Sequence, residues 1–144
     1  VNFPQIAKNA GFDVFCLPPL KDRYIENHIY QEGGMLYVFL KNPVQAMDFR
    51  RFAEEHPLVE RVLDSKQAAV EYYMPPDTIG DFVLLAGKDI AFGEVEGESI
   101  HTEDSRTHGS LYEREIPLIG INTQPKGERF QYHKDVARYL MGMS

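Results

Sequence analysis

Short apolar runs alternate with amphipathic stretches over the first two thirds of the chain. The run "FDVFCL", residues 12–17, is rich in β-formers and lies between Gly11 and the pair Pro18 and Pro19, which predicts a strand. An amphipathic segment at residues 4–10 precedes it and predicts a helix. A helix followed by a strand is the unit expected in an α/β sheet.

The same alternation continues through a second group of elements. "GGMLYVFL", residues 33–40, predicts a strand. Asn42 and Pro43 then favour the start of a helix that runs to about residue 55, since asparagine caps helices and proline suits their first position. "LVERVLD", residues 58–64, alternates like a half-buried strand.

Two more elements complete this group. Asp64 and Gln67 match a capping box, which predicts a short helix through residue 72. Residues 81–87 predict a strand, residues 88–89 a tight turn, and residues 90–93 the return strand of that hairpin.

The last third of the chain has a different pattern of apolar and polar residues. Residues 94–109, "EVEGESIHTEDSRTHG", are polar and predict a long loop, a kind of segment that is usually functional or disordered. "IPLIGI", residues 116–121, predicts a buried strand. Apolar positions at helical spacing in residues 133–143 predict a closing helix that packs on the core.

Composition narrows the classes of protein. The chain has 144 residues, of which 43% are hydrophobic and 26% charged, as expected for one soluble domain. The net charge of -7 gives no electrostatic reason to bind nucleic acid or an anionic membrane. The single cysteine, Cys16, cannot form an internal disulfide, which favours a reducing compartment and hence the cytoplasm.

The most informative polar residue is His108, in "SRTHGSLYEREIPLIGIN", residues 105–122. Gly109 allows close approach of a ligand or another segment, and Ser110 with Glu113 matches a capping box that predicts one helical turn. Neutral imidazole is a common zinc ligand, but zinc needs three or four protein ligands. From the local sequence alone, an ordinary loop histidine is therefore the stronger interpretation.

Other candidates have a structural interpretation at least as good. Together with His108, the loop residues His101, Glu103 and Asp104 could form a small carboxylate–histidine site, but their mixed spacing favours a solvated acidic loop. His56 ends a predicted helix, and Cys16 lies in an apolar run where a thiol is a poor nucleophile.

Thr107, His108, Gly109 and Glu113, followed by "IPLI", form the pattern T-H-G-x-x-x-E-x-x-I-P-L-I. This pattern resembles a late motif of the alkaline phosphatase superfamily. It looks most like the nucleotide pyrophosphatase and phosphodiesterase branch, and within that branch the phosphonoacetate hydrolases. "CLPPLKDRY", residues 16–24, and "PPDTIGDFVLLAGKD", residues 75–89, resemble two further segments of that family in the same order.

The resemblance implies roles for particular residues. In that family the motif histidine ligates one of two divalent metals, usually zinc, so His108 would be a metal ligand flanked by Thr107, Gly109 and Glu113. Asp22 and His28 would lie near the substrate, although surface groups of this kind are more often merely solvated. The family's paired "HHG" is replaced here by "IENHIYQEGG", in which only His28 is kept.

The resemblance also implies an organisation. The family's nucleophile and its other metal ligands belong to motifs that this sequence does not contain, so the chain would be the C-terminal part of a longer enzyme. Its fold would be α/β, a segment of an alkaline-phosphatase-like sheet with a small α+β cap. Residues 1–32 and 94–144 would belong to the catalytic core, and residues 33–93 would form the cap.

The resulting hypothesis is a metal-dependent hydrolase of phosphate or phosphonate compounds. Its partners would be a small phosphorylated or phosphonate substrate and the N-terminal part of the same enzyme, and self-association is also open. With one metal ligand and no nucleophile, the 144-residue chain alone is expected to be inactive. The alternatives are a non-catalytic binding or interaction module that keeps the motif, and a phosphomutase of the same superfamily.

Overall fold

The computed structural model describes residues 1–18, 33–101, 108–123 and 130–142. Within them the helices are α1 (Phe3–Asn9), α2 (Ala46–Glu55), α3 (Ser65–Tyr72) and α4 (His133–Leu140), with 3-10 turns at Pro43–Gln45 and Leu111–Glu113. The strands are β1 (Val14–Leu17), β2 (Met35–Leu40), β3 (Val59–Asp64) and β4 (Phe82–Ala86). Up to β4, these bounds confirm the predicted helices and strands to within a few residues.

Side chains fix where two of the helices begin. The Oδ1 atom of Asn2 accepts a hydrogen bond from the Gln5 N–H at 3.2 Å, and Pro4 occupies the first turn of α1. Asp64 and Gln67 form the predicted capping box of α3. The Gln67 N–H donates to Asp64 at 2.8 Å, and the Gln67 side chain accepts from the Asp64 N–H at 3.0 Å.

The four strands form one antiparallel sheet in the order β1-β2-β4-β3. Cys16 pairs with Val38 across β1 and β2, and Met35 pairs with Leu85 across β2 and β4. Every residue of β4 is buried, since this strand has a neighbour on each side and packing on both faces. The predicted α/β class is confirmed, with an antiparallel sheet.

The first face of the sheet carries the larger core. Phe3 and Ala7 of α1 and Phe49 and Ala53 of α2 are fully buried against it. The Phe3 ring lies edge-on to the Phe92 ring, with centroids 5.7 Å apart. Residues 1–18 and 33–93 therefore share one core, on both sides of the boundary expected at residue 33. The place of that boundary in a longer protein stays a prediction.

The second face carries a smaller core, made by residues of β3, α3 and β4 with Ile79. Its buried members are Leu63, Ala68, Ile79, Val83 and Leu85. A β-bulge in β3 brings Val59 onto the same face of the sheet as Val62, in the larger core, while Leu63 packs in the smaller core. Val59 pairs with Ala86 and Arg61 with Leu85, so Glu60 is the extra residue.

The predicted return strand at residues 90–93 is wrong. Phe92 pairs instead with Gly33, through backbone hydrogen bonds of 3.1 and 2.8 Å, in an isolated antiparallel bridge. The physical reason is the sheet order. Because β4 already has β2 on one side and β3 on the other, a hairpin partner has no free edge to join.

The predicted buried strand at residues 116–121 is also absent. Its apolar side chains are exposed, with Ile116 at 65%, Leu118 at 54%, Ile119 at 81% and Ile121 at 82%. An apolar pattern predicts burial only where a partner surface exists, and the described residues provide none for this segment.

The closing helix forms as α4, but it does not pack on the core as expected. None of its described side chains is buried. The ammonium of Lys134 lies 4.7 Å from the centre of the Tyr73 ring and 5.0 Å from that of Tyr132, so its contact with the rest of the chain is a surface one. Across the described ranges, no helix has the length and apolar character needed to cross a membrane.

His56 is the C-cap residue of α2, and its ring packs against aromatic side chains of the larger core. Its ring lies edge-on to Phe3, with centroids 5.6 Å apart, and its Nδ1 accepts a hydrogen bond from the Leu58 N–H at 3.4 Å. Burial lowers the pKa of His56 below its usual 6.5, and the charge of Glu98 partly opposes that change. The folded protein therefore favours the neutral ring.

Because the folded-state pKa of His56 is lowered, we expect stability to be fully present above pH 6.5 and to fall as the pH drops below it. Below that value the unfolded chain binds a proton more readily than the folded chain. Denaturant unfolding measured between about pH 7 and pH 5 tests this expectation.

Two variants serve as controls for this pH dependence. H56Q should remove this part of the pH dependence, whereas E98Q should enlarge it, because the glutamate charge that raises the pKa of His56 is lost. Equal pH dependence in H56Q and the parent chain would contradict the interpretation.

Candidate functional site

His108 lies on the surface, where its backbone is attached to the start of β2. Its side chain is exposed, and its carbonyl oxygen accepts a hydrogen bond of 2.7 Å from the Gly34 N–H. The segment containing His108 thus crosses over the two glycines that precede Met35. The imidazole is therefore exposed to solvent, while the His108 main chain is fixed by its hydrogen bond with Gly34.

Gly33 and Gly34 are buried, and all four of their backbone polar groups are paired. Gly33 exchanges two hydrogen bonds with Phe92. Gly34 donates to His108 and accepts from the Ala86 N–H at 2.8 Å. We call these two residues and their three partner segments the glycine crossing.

The glycine crossing leaves no space for a side chain at Gly34 and little at Gly33. A Cβ atom on Gly34 would lie 2.5 Å from Cβ and 2.6 Å from the backbone nitrogen of Ser110. One on Gly33 would lie 3.3 Å from Cε1 of His108. Gly109 has φ +84°, a conformation that favours glycine. The sequence indicates a role for Gly109 but not for Gly33 and Gly34, although glycines at a strand start can signal close backbone approach.

The predicted helical turn after His108 forms as the 3-10 turn Leu111–Glu113. The Ser110 Oγ accepts a hydrogen bond from the Tyr112 N–H at 3.2 Å, as a capping side chain does. Leu111 packs against the smaller core on the second face of the sheet. The Tyr112 hydroxyl donates to Oε2 of Glu60 at 3.2 Å. The segment is therefore attached to the sheet at several points.

Charged side chains surround this turn. Loss of solvent, the hydrogen bond to Glu60 and the charges of Glu60 and Asp89 raise the pKa of Tyr112, so its hydroxyl stays protonated and can donate. Glu71 accepts two hydrogen bonds from Arg61, which lower the pKa of Glu71, and the charge of Arg114 adds to that effect. Glu60 of β3 thus contacts the turn directly, while Glu71 of α3 interacts with the charge of Arg114, which follows the turn.

Of the remaining predicted polar site residues, the structure describes His101, which is exposed. Among the residues that the structure describes, no three of His, Cys, Asp and Glu are close enough to hold a metal ion. The others lie outside the described residues: Asp22, His28, Glu103, Asp104, Thr107 and the side chain of Glu113.

Cys16 is a core residue, as expected. It lies on β1, packs against the larger core, and burial raises the pKa of its thiol to about 12. A thiol with such a pKa is almost entirely protonated near neutral pH and is a poor nucleophile.

Known structures share the fold of this chain, and they show that it corresponds to only part of a longer protein chain. No protein-family model matches the chain. Two crystal structures of phosphonoacetate hydrolase from Sinorhizobium meliloti 1021 are similar to it. The complex with phosphonoformate has a TM-score of 0.65 and 20% identity, and the complex with phosphonoacetate has 0.64 and 19%.

In both structures the similarity covers 78% of this chain and 28% of the hydrolase chain. The chain therefore has the fold of a fragment of phosphonoacetate hydrolase and spans less than a third of that protein.

The glycine crossing generates a stability prediction. G34A should lower the free energy of unfolding by about 1–3 kcal/mol, because its methyl group would overlap backbone atoms of Ser110. G87A is the matched control, since its Cβ would meet nothing closer than 3.7 Å. We expect G87A to stay within about 0.5 kcal/mol of the parent chain in denaturant unfolding. Equal stability of the two variants would show that the 108–110 segment does not press on Gly34.

Proposed function

We propose that this chain is the C-terminal part of a metal-dependent hydrolase of phosphate or phosphonate compounds. The observation that carries the proposal is the fold match to phosphonoacetate hydrolase over 78% of the chain. The sequence motif around His108 points independently to the same family of hydrolases. The similar structures hold phosphonoformate and phosphonoacetate, so small phosphonates are the first substrates to test.

His108 would supply one ligand to a divalent metal site, with zinc the first metal to test. Its exposed ring and its anchored backbone suit this role, because a ligand on a fixed main chain keeps its direction without loss of access. The described residues do not provide a complete site, so the other ligands would come from the rest of a longer protein. When bound, divalent metals polarise phosphoryl oxygens and lower the pKa of a nucleophile.

Residues 33–93 would form a cap beside this site. The glycine crossing supports the idea, because it joins the His108 segment directly to β2, β4 and Phe92 of that region. Any movement of the region would therefore move the main chain of His108 with it.

The exposed apolar side chains of residues 116–121 support the view that further protein covers this chain. They also favour a second candidate, an interaction module that binds a partner through the same segment and performs no catalysis. The length of the coding sequence distinguishes the two candidate functions. An upstream nucleophile motif and further metal ligands would favour the hydrolase.

H108A in the full-length protein tests the metal role. We expect it to lose one metal per molecule and to lower the rate of hydrolysis of phosphonoacetate or a p-nitrophenyl phosphate ester by more than about 100-fold. Loss of a residue that merely supports a ligand already costs 10- to 100-fold. Metal analysis and steady-state rates are the measurements. H133A is the control, since His133 is also an exposed histidine. An H108A protein with full metal content and full rate would refute the proposal.

The isolated 144-residue chain should not hydrolyse phosphate or phosphonate esters. One ligand cannot hold a catalytic metal, because a stable zinc site needs at least three protein ligands. An assay of the purified chain with added zinc and p-nitrophenyl phosphate esters tests this expectation. Turnover that a chelator abolishes would contradict it.

A further inference from the structure

The bulge residue Glu60 lies where the sheet meets the His108 segment. In the register of β3 with β4, Val59 and Arg61 have neighbouring partners and Glu60 has none. A bulge turns side chains away from the regular alternation. Here Val59 faces the larger core, and the Glu60 carboxylate reaches the Tyr112 hydroxyl at 3.2 Å.

Hydrogen bonds at His108 and Tyr112 attach the segment that carries His108 to the sheet, together with an apolar contact at Leu111. The His108 carbonyl accepts from Gly34 at 2.7 Å, and the Tyr112 hydroxyl donates to Glu60. Leu111 packs against the smaller core. An apolar contact keeps the turn on the sheet but does not set its direction, because hydrophobic burial is non-directional. The hydrogen bond to a carboxylate is directional and charge-assisted.

We propose that Glu60 and Tyr112 are positioning residues for His108. Their hydrogen bond sets the orientation of the 3-10 turn. The orientation of this 3-10 turn then determines where the His108 main chain contacts Gly34. As a statement about the metal site, this inference rests on the proposed function. As a statement about the order of the segment, it can be tested in this chain alone.

Amide hydrogen exchange of the Gly34 N–H is the direct test, because this group donates to the His108 carbonyl. Loss of one hydrogen bond should speed its exchange in Y112F and E60A by about 3- to 10-fold. E60Q keeps an acceptor oxygen and should stay close to the parent chain. Y73F is the matched control, since it removes the hydroxyl of another exposed tyrosine.

Two neighbouring amides distinguish positioning from general loosening. The Ala86 and Phe92 N–H groups donate to Gly34 and Gly33 and should exchange at unchanged rates. The inference is overturned if Gly34 exchange does not change in Y112F, or if all three amides accelerate together.

A second measurement in the full-length protein tests the consequence for the metal site. Y112F should weaken metal affinity by about 3- to 10-fold, as expected for one lost hydrogen bond, and E60Q should restore most of the affinity lost in E60A. Unchanged affinity in Y112F, with metal loss in H108A, would overturn the role at the site. If H108A itself keeps its metal, the proposed function fails, while the exchange result still decides the inference about the segment.

Discussion

The two glycines before β2 bring three separate segments within hydrogen-bonding distance of one another. Their N–H and C=O groups are buried, and a buried unpaired backbone group costs free energy, so each must find a partner. They pair with β4, with Phe92 and with His108. The absence of side chains makes this possible, since a methyl group on Gly34 would overlap Ser110. The main-chain position of the exposed His108 therefore depends on the buried backbone of Gly33 and Gly34, which have no side chains to react or to bind a ligand.

The two faces of the sheet pack against different elements. The first face packs α1 and α2 and holds most of the buried aromatic side chains. The second face packs α3 and the turn after His108. Strand alternation already presents β3 to both faces, since Val62 packs in the larger core and Leu63 in the smaller one, and the bulge adds one residue to that alternation at Glu60. Val59 and Val62 then face the larger core, while Glu60 and Arg61 are free to bind polar partners on the other side.

Local chemistry explains which elements could be predicted from the sequence. The capping box of Asp64 and Gln67 depends on atoms three residues apart, and the alternation of β2 depends on neighbours two residues apart. The return strand after β4 could not be predicted correctly, because its absence follows from strands far along the chain that occupy both edges of β4. The residues of the candidate site also differ in whether local sequence predicts them. His108 was identified through a motif, whereas the contacts of Gly34 and Glu60 depend on tertiary structure.

The exposed segment at residues 116–121 extends this reasoning beyond the chain itself. Burying a leucine or isoleucine side chain is worth about 1.5–3 kcal/mol, so leaving several in water forgoes a large stabilisation. The first face is already covered by α1 and α2, and α3 with Leu111 covers the second face at β3 and β4. A sequence pattern reflects the surroundings in which a protein functions, including contacts with protein beyond the described residues. The apolar run therefore supports the proposal that further protein, joined to or bound by this chain, lies against it.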